Sequence, residues 1–360
     1  MADIFTMPRR KPDRRTRVAL RVEEWPKEDR SRWVAAFVPG DIFDGAGAGA
    51  HLSPASQTGM VYAYGRWLGF LSRSDPDSLS HLLEDRVTRE RVVTFCELLA
   101  ETNSAVSIAS ALSQLRQALR LLAPKADWSW LHTIEKRIKF KALPRPKRPR
   151  QQDAYKLLAL GRKLMDQAHA EAEASGSVSS RSALSFRDGL MISILVFVCP
   201  RRRNIAGLTL GRTLFRTGTA WHIRFEENET KNKRPSDVPL PPELTPYIET
   251  YLTRFRSVFR SSSEHCGVWA SVKGTPLTGE AIYDAVCRRT EVEFGQSMNL
   301  HLFRDAAATA LAVHIPEHAR AAADLLGHSS FGPTQKHYIR AQGIAAARLL
   351  ARTIRKKASV

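Results

Sequence analysis

Between Ser53 and Phe140 apolar positions recur at steps of three and four. Tyr62, Tyr64, Trp67, Leu68 and Leu71 form one set; Val92, Phe95, Cys96 and Leu99 form a second. A third runs from the cap candidate Asn103 through Ile108, Leu112, Leu115, Leu119 and Leu122 to a stop at Pro124, and a fourth holds Trp130, Ile134 and Ile138. Helical geometry puts each set on one face, so residues 53–142 read as a small domain of four amphipathic helices. Residues 1–52 lack that periodicity. They are rich in Arg, Pro and Gly, end in Gly45-Ala46-Gly47-Ala48-Gly49-Ala50, and hold scattered large apolar residues such as Trp25, Trp33 and Phe37. This composition predicts a basic arm, partly disordered when free.

The helical pattern breaks at Leu143-Pro144-Arg145-Pro146-Lys147-Arg148-Pro149-Arg150. Closely spaced prolines forbid a continuing helix and favour a semi-rigid extended connector, which places a linker at 143–153. The region 154–360 opens with predicted helices at 152–172 and 186–198, around a Ser/Gly-rich stretch at 174–184. Leu190, Ile192, Ile194, Leu195 and Phe197 make the second helix apolar nearly all round, so it is expected in the core. Pro200 ends it and Arg201-Arg202-Arg203 follow. Trp221, Ile223 and Phe225 then alternate with His222 and Arg224, and Val238 and Leu240 with Asp237 and Pro239, the period of half-buried strands. The polar run 226–234 between them reads as a hairpin tip. Helices are predicted again at 242–259 and 278–293, giving a mainly α fold with a small antiparallel β-sheet, an α+β arrangement.

Charge narrows the partner. The chain of 360 residues carries 55 Lys and Arg against 36 Asp and Glu, a formal charge of +19, which favours a polyanion. The cations of the linker, Arg145, Lys147, Arg148 and Arg150, are suited to phosphates, as are Lys136 and Arg137 on the last helix of the first domain, although those two also read as an exposed helix face. Cys96, Cys199, Cys266 and Cys287 are far apart and form no C-x-x-C, so neither a disulfide framework nor a zinc site is predicted and a reducing cytoplasm fits. No apolar run reaches the length of a membrane span, and the N-terminal segment has no signal-peptide core.

The densest chemistry lies between His301 and Arg340. His301 and Arg304 are three apart on a helix introduced by Asn299, so both project from one face. Gly327 in Leu325-Leu326-Gly327-His328 is placed like a helix C-cap that directs His328. Pro333 starts a last short helix carrying Tyr338. Two histidines, an arginine and a tyrosine of this kind suit phosphodiester chemistry: a nucleophile, groups that manage its proton, and a cation to hold the phosphate. His314 and His318 have i,i+4 spacing interrupted by Pro316 and no evident third ligand, so no metal site is predicted.

In His301-x-x-Arg304, Leu325-Leu326-Gly327-His328 and Thr334-Gln335-Lys336-His337-Tyr338, with Arg201 after an apolar helix and Lys231 in a hairpin, the sequence resembles the tyrosine recombinase (phage integrase) family. The likeness covers about 155–345 by motif; the helical domain before it is like that family's SAM-like core-binding domain by position and type. The resemblance implies a catalytic domain of the DNA breaking-rejoining fold. In it Tyr338 attacks a DNA phosphodiester, Arg201 and Arg304 hold the non-bridging oxygens, Lys231 protonates the leaving oxygen, His301 assists proton transfer and His328 bonds the phosphate. It further implies an integrase of a mobile element acting on double-stranded DNA at specific sites as a homotetramer, without cofactor or metal, in a prokaryotic cytoplasm at the nucleoid. A non-catalytic DNA-binding protein on this fold and a relaxing type IB topoisomerase are the alternatives. The family commonly has Gly-Leu-Arg with an acidic residue three positions on, whereas this chain reads Cys199-Pro200-Arg201 with Asn204. The sequence therefore leaves open whether Arg201, Arg202 or Arg203 is the first catalytic arginine.

Overall fold

The computed structural model describes residues 17–43, 45–142, 152–230 and 233–315. By its contacts the chain divides into two compact units, Met1–Arg145 and Pro146–Val360, each with its own hydrophobic core. The described residues are mainly helical with one small antiparallel sheet, the fold class expected from the sequence.

In the first unit α1 (Lys27–Ala36), α2 (Pro54–Ser74), the single turn α3 (Leu83–Arg86), α4 (Arg89–Ala100), α5 (Ala105–Leu122) and α6 (Ser129–Lys141) enclose a core that includes Tyr64, Trp67, Leu68, Phe95, Ile108 and Leu112. Short hydroxyl side chains start the longer helices. Ser53, Thr88 and Ser104 accept from the amides of Ser56, Arg91 and Ser107, filling orphan donors of the first turns. The cap of α5 is thus Ser104, one residue beyond the expected Asn103, whose amide instead donates to the carbonyl of Leu99 at the end of α4.

The expectation of an arm over 1–52 does not hold for 20–37, which belong to this unit's core. Trp25 and Trp33 are buried, Trp25 meets Tyr64 edge-on at 4.8 Å, and the Leu20 amide donates to the Gly65 carbonyl at 2.9 Å. What fixes the segment is also polar. Asp29 on α1 accepts both Arg86 Nη1 (2.7 Å) and Nη2 (2.6 Å), and the Tyr64 hydroxyl (2.7 Å), with all three groups buried. A carboxylate so fully matched ties α1, α2 and α3 together.

The second unit opens with α7 (Ala154–Ser175) and α8 (Ser180–Phe197). Helix α8 begins six residues before the predicted 186, because Ser179 caps it by accepting from the Ser182 amide. The two helices touch closely at Gly161 and Gly189: a Cβ on Gly189 would sit 2.6 Å from the Gly161 carbonyl oxygen, so neither position admits a side chain. The buried α8 leads through α9 (Arg202–Ala206) to a three-stranded sheet, β1 (Leu214–Thr217), β2 (Ala220–Phe225) and β3 (Ser236–Pro239), in the order β1-β2-β3. Strands β2 and β3 pair with Ile223 opposite Val238, the hairpin predicted. The predicted helix 242–259 is instead α10 (Thr245–Thr250) running into a π-helical turn at Tyr251–Phe255 and a 3-10 turn at Arg256–Val258. Tyr251 and Phe255 of this turn both stack with Phe186. α11 (Gly279–Phe294) and α12 (Leu300–His314) complete the described unit.

Candidate active site

The candidate residues of the second unit fall on three segments up to His314, and the first is the exit of α8. This helix spends its apolar surface in the core and must then turn before three consecutive arginines. The turn is made at Cys199, whose φ of 50° lies in the left-handed region that a side chain rarely occupies. Cys199 is 1% exposed, its thiol lies 3.4 Å from the Val196 carbonyl, and it packs with Ala307 and Ala308 of α12. Burial pushes the thiol pKa up to about 12 against the pull of Arg304, which keeps it neutral and inert as a nucleophile. Pro200 follows, and Arg201 is half-buried at the N-cap position of α9.

The second segment is α12. As the sequence predicts, Asn299 introduces it, its side-chain oxygen accepting from the amides of His301 (3.0 Å) and Leu302 (3.2 Å). The cap fixes the helix phase, which turns Leu302 and Phe303 into the core and sends Arg304 toward the α8 exit. Arg304 is 8% exposed, and its Nη1 donates to the main-chain carbonyl of Cys199. Its pKa is lowered, first by burial and next by the positive charge of Arg201. Arg201 and Arg304, 103 positions apart, are therefore near neighbours, and Arg304 is held by a carbonyl dipole. A desolvated guanidinium beside a second guanidinium carries excess positive potential, which an incoming anion relieves.

The neighbouring arginines differ. Arg202 is exposed and sits 3.6 Å from Glu280 on α11. Arg203 is also exposed, and its charge reaches Glu229, whose carboxyl is held below its usual range chiefly by a hydrogen bond from Arg212. Of the three, it is Arg201 that acts electrostatically on Arg304. His301 projects from the same helix with 64% of its side chain exposed, its Nε2 4.0 Å from Asp305 Oδ1.

The third segment is the β2–β3 connection. Its flanks are tied down: the Thr230 hydroxyl accepts from the Arg234 amide (3.0 Å) and donates to the Arg234 carbonyl (2.8 Å), and Arg212 bridges to Glu229 at 2.8 Å. Lys231 itself, at the middle of this connection, lies outside the described residues, as do His328 and Tyr338. The structure thus brings Arg201 and Arg304 together, with His301 on the same helix as Arg304. In the first unit Lys136 and Arg137 are exposed on α6, opposite the buried Leu131 and Ile138. Arg145, Lys147, Arg148 and Arg150 lie outside the described residues.

A buried network on α8 and α11 was not anticipated from the sequence. Asp188 on α8 is fully buried and accepts from Arg187 Nη2 (2.8 Å) and from Arg289 Nε of α11 (2.9 Å), while Arg187 Nη1 donates to the Ala270 carbonyl (2.9 Å). An Arg-Asp pair inside an otherwise apolar helix was the signal. Among the described residues no group of three or more His, Cys, Asp or Glu side chains is placed to hold a metal ion. None of the described helices is long and apolar enough to cross a membrane.

No protein-family model matches the chain, and no curated protein matches it. Among solved structures it is similar to XerA recombinase, at 14% identity over 86% of this chain and 92% of that one, with a TM-score of 0.37. It is also similar to the XerH site-specific recombinase bound to palindromic difH substrate in a post-cleavage complex, at 13% identity over 82% and 96%, with a TM-score of 0.46.

Proposed function

We propose that this chain is a tyrosine-type site-specific DNA recombinase, an integrase of a mobile element, that cleaves and rejoins DNA through a covalent 3′-phosphotyrosyl link. One observation carries the reading: Arg304 is buried, held by a main-chain carbonyl, and close enough to Arg201 for that charge to depress its pKa. Two guanidiniums converging from distant segments form a cradle for a phosphate oxyanion. The motif order Arg201, Lys231, His301-x-x-Arg304, His328, Tyr338 supports assigning that anion to a phosphodiester.

On this reading the Tyr338 hydroxyl oxygen attacks phosphorus and loses its proton with help from His301. The bond to the 5′ oxygen breaks, and Lys231 protonates that oxygen as it leaves. Arg201 and Arg304 bind the non-bridging oxygens and stabilise the charge that builds on the five-coordinate transition state, with His328 hydrogen-bonded to the same phosphate. The broken bond is exchanged for a tyrosyl ester of similar energy, so the reverse attack reseals the DNA and no nucleotide cofactor is consumed. The basic helix face at Lys136 and Arg137 and the linker cations Arg145, Lys147, Arg148 and Arg150 bind the duplex backbone, and a homotetramer on two DNA sites performs the exchange.

The test is trapping. The protein is incubated with a pool of nicked duplexes of randomised core sequence, from which a cut strand diffuses away, and the products are separated in SDS. An SDS-resistant adduct that disappears in Tyr338→Phe is expected. Absence of an adduct with the wild type would sink the enzymatic reading and leave a DNA-binding protein. An adduct persisting in Tyr338→Phe would overturn the choice of nucleophile.

A further inference from the structure

We infer that Cys199 is the positioning residue for Arg304, and that it acts through its left-handed backbone rather than its thiol. The inference rests on the reading of Arg201 and Arg304 as an anion cradle. Its starting point is an anomaly: a non-glycine residue with φ of 50°, placed between a largely buried helix and an arginine of the candidate site. Left-handed backbone in residues with a Cβ is sparsely populated and persists where the surroundings over-determine it, most often at functional positions.

Three observations give the conformation a purpose. The Cys199 carbonyl is the acceptor for Arg304 Nη1, so the direction of that carbonyl sets where the guanidinium sits. The same residue determines how the chain leaves α8 and hence where Arg201, two residues on, enters the site. The thiol, for its part, is occupied in holding the turn: it is buried against Ala307 and Ala308, one helical turn beyond Arg304 on α12. Cys199 is thus packed to the helix that carries one arginine and covalently joined to the segment that carries the other. A right-handed backbone there would rotate the carbonyl away from Nη1 and leave a buried guanidinium without this acceptor, which is costly.

The substitution series separates backbone from thiol. Glycine adopts φ of 50° freely, so Cys199→Gly loses the packing yet is expected to retain most of the function. A β-branched residue at positive φ is a strong outlier, so Cys199→Val is expected to displace the carbonyl. The readout that needs no catalysis is the rise in melting temperature produced by inorganic phosphate, taken relative to Arg304→Ala, which subtracts diffuse binding by a basic chain. Wild type and Cys199→Gly should show the rise, and Cys199→Val should fall to the level of Arg304→Ala. In the trapping assay Cys199→Val should slow adduct formation by about 100-fold, the scale of an ångström-level misplacement. The double variant Cys199→Val with Arg304→Ala should be no slower than Arg304→Ala alone, because both remove one interaction.

A full phosphate response in Cys199→Val overturns the inference. So does loss of the response in Cys199→Gly, because the side chain would then be what matters; should Cys199→Val fail to fold, Cys199→Gly decides alone. A wild type with no response above Arg304→Ala overturns both the inference and the anion cradle. If the phosphate response follows the expected order but wild type forms no adduct, the positioning role stands and DNA cleavage fails.

Discussion

Arg86 in the first unit and Arg304 in the second are both buried arginines, and the two are treated oppositely. Arg86, 3% exposed in the first unit, is gripped on both Nη atoms by Asp29. Burial pulls its pKa down, but the bond to Asp29 and nearby negative charge overcome this and leave it raised. Arg304, 8% exposed in the second unit, receives a backbone carbonyl, and burial and Arg201 leave its pKa lowered. A buried cation matched by a carboxylate is a structural tie. A buried cation crowded by another cation, with its pKa lowered, is poised for a charge that arrives from outside. The contrast distinguishes architecture from chemistry more clearly than burial or residue type does.

The largest effect expected from this contrast is on chemistry. Arg304→Ala should slow adduct formation by about 10² to 10³-fold, the scale for losing one donor to a developing oxyanion, with the melting temperature held or raised. A large fall in melting temperature together with the lost rate would break the comparison, since Arg304 would then be a tie like Arg86. The converse holds for Arg86→Ala, which strands the buried Asp29 and should cost about 3–5 kcal/mol in denaturant unfolding of the first unit, without slowing cleavage per folded molecule. Replacing Asp29 and Arg86 together by apolar residues should cost less than that single change, which a double-mutant cycle reads directly.

A smaller effect comes from pH. Burial raises the pKa of Tyr64 and pushes the Cys96 thiol up to about 12 in the first unit, as it does Cys199 in the second. A group whose pKa is raised on folding contributes stability that is complete below its unfolded pKa and is lost as pH rises toward the folded value. Both units should therefore melt at falling temperatures from about pH 9 upward. Cys96→Ala should flatten that slope for the first unit, and an unchanged slope would remove the thiol from the account. The smallest effect expected is at the exposed Arg202, whose pair with Glu280 is worth about 0–1 kcal/mol; Arg202→Ala should leave stability and cleavage within a fewfold, whereas Arg201→Ala should resemble Arg304→Ala. Equal, mild losses at Arg201, Arg202 and Arg203 would mean that all three bind backbone only.

What the sequence could show followed the range over which its signals act. Helix periodicity, the Asn299 cap and the β2–β3 alternation are local, and the elements they predict are present. The 20–37 segment was misread because its few apolar residues are too sparse for a periodic signal, and the partner that secures it, Arg86, is 57 residues from Asp29. Strand β1 was missed because it is four residues long and its burial falls off along the strand instead of alternating. At the candidate site, residue types and spacing single out Arg304 and His301 as candidates, but three adjacent arginines look alike in a sequence. Partial burial and the electrostatic effect on Arg304 separate Arg201 from Arg202 and Arg203, and both follow from a left-handed turn at Cys199 that has no sequence signature.

The most direct test of the central claim is the single-turnover rate of adduct formation on the nicked duplex pool, measured beside thermal unfolding for wild type, Arg304→Ala and Arg86→Ala. The account predicts an adduct whose rate collapses in Arg304→Ala while its fold persists, and a fold that weakens in Arg86→Ala while its rate per folded molecule persists. If the two variants lose rate and stability in the same proportion, the arginines do not differ in kind and the anion cradle is wrong.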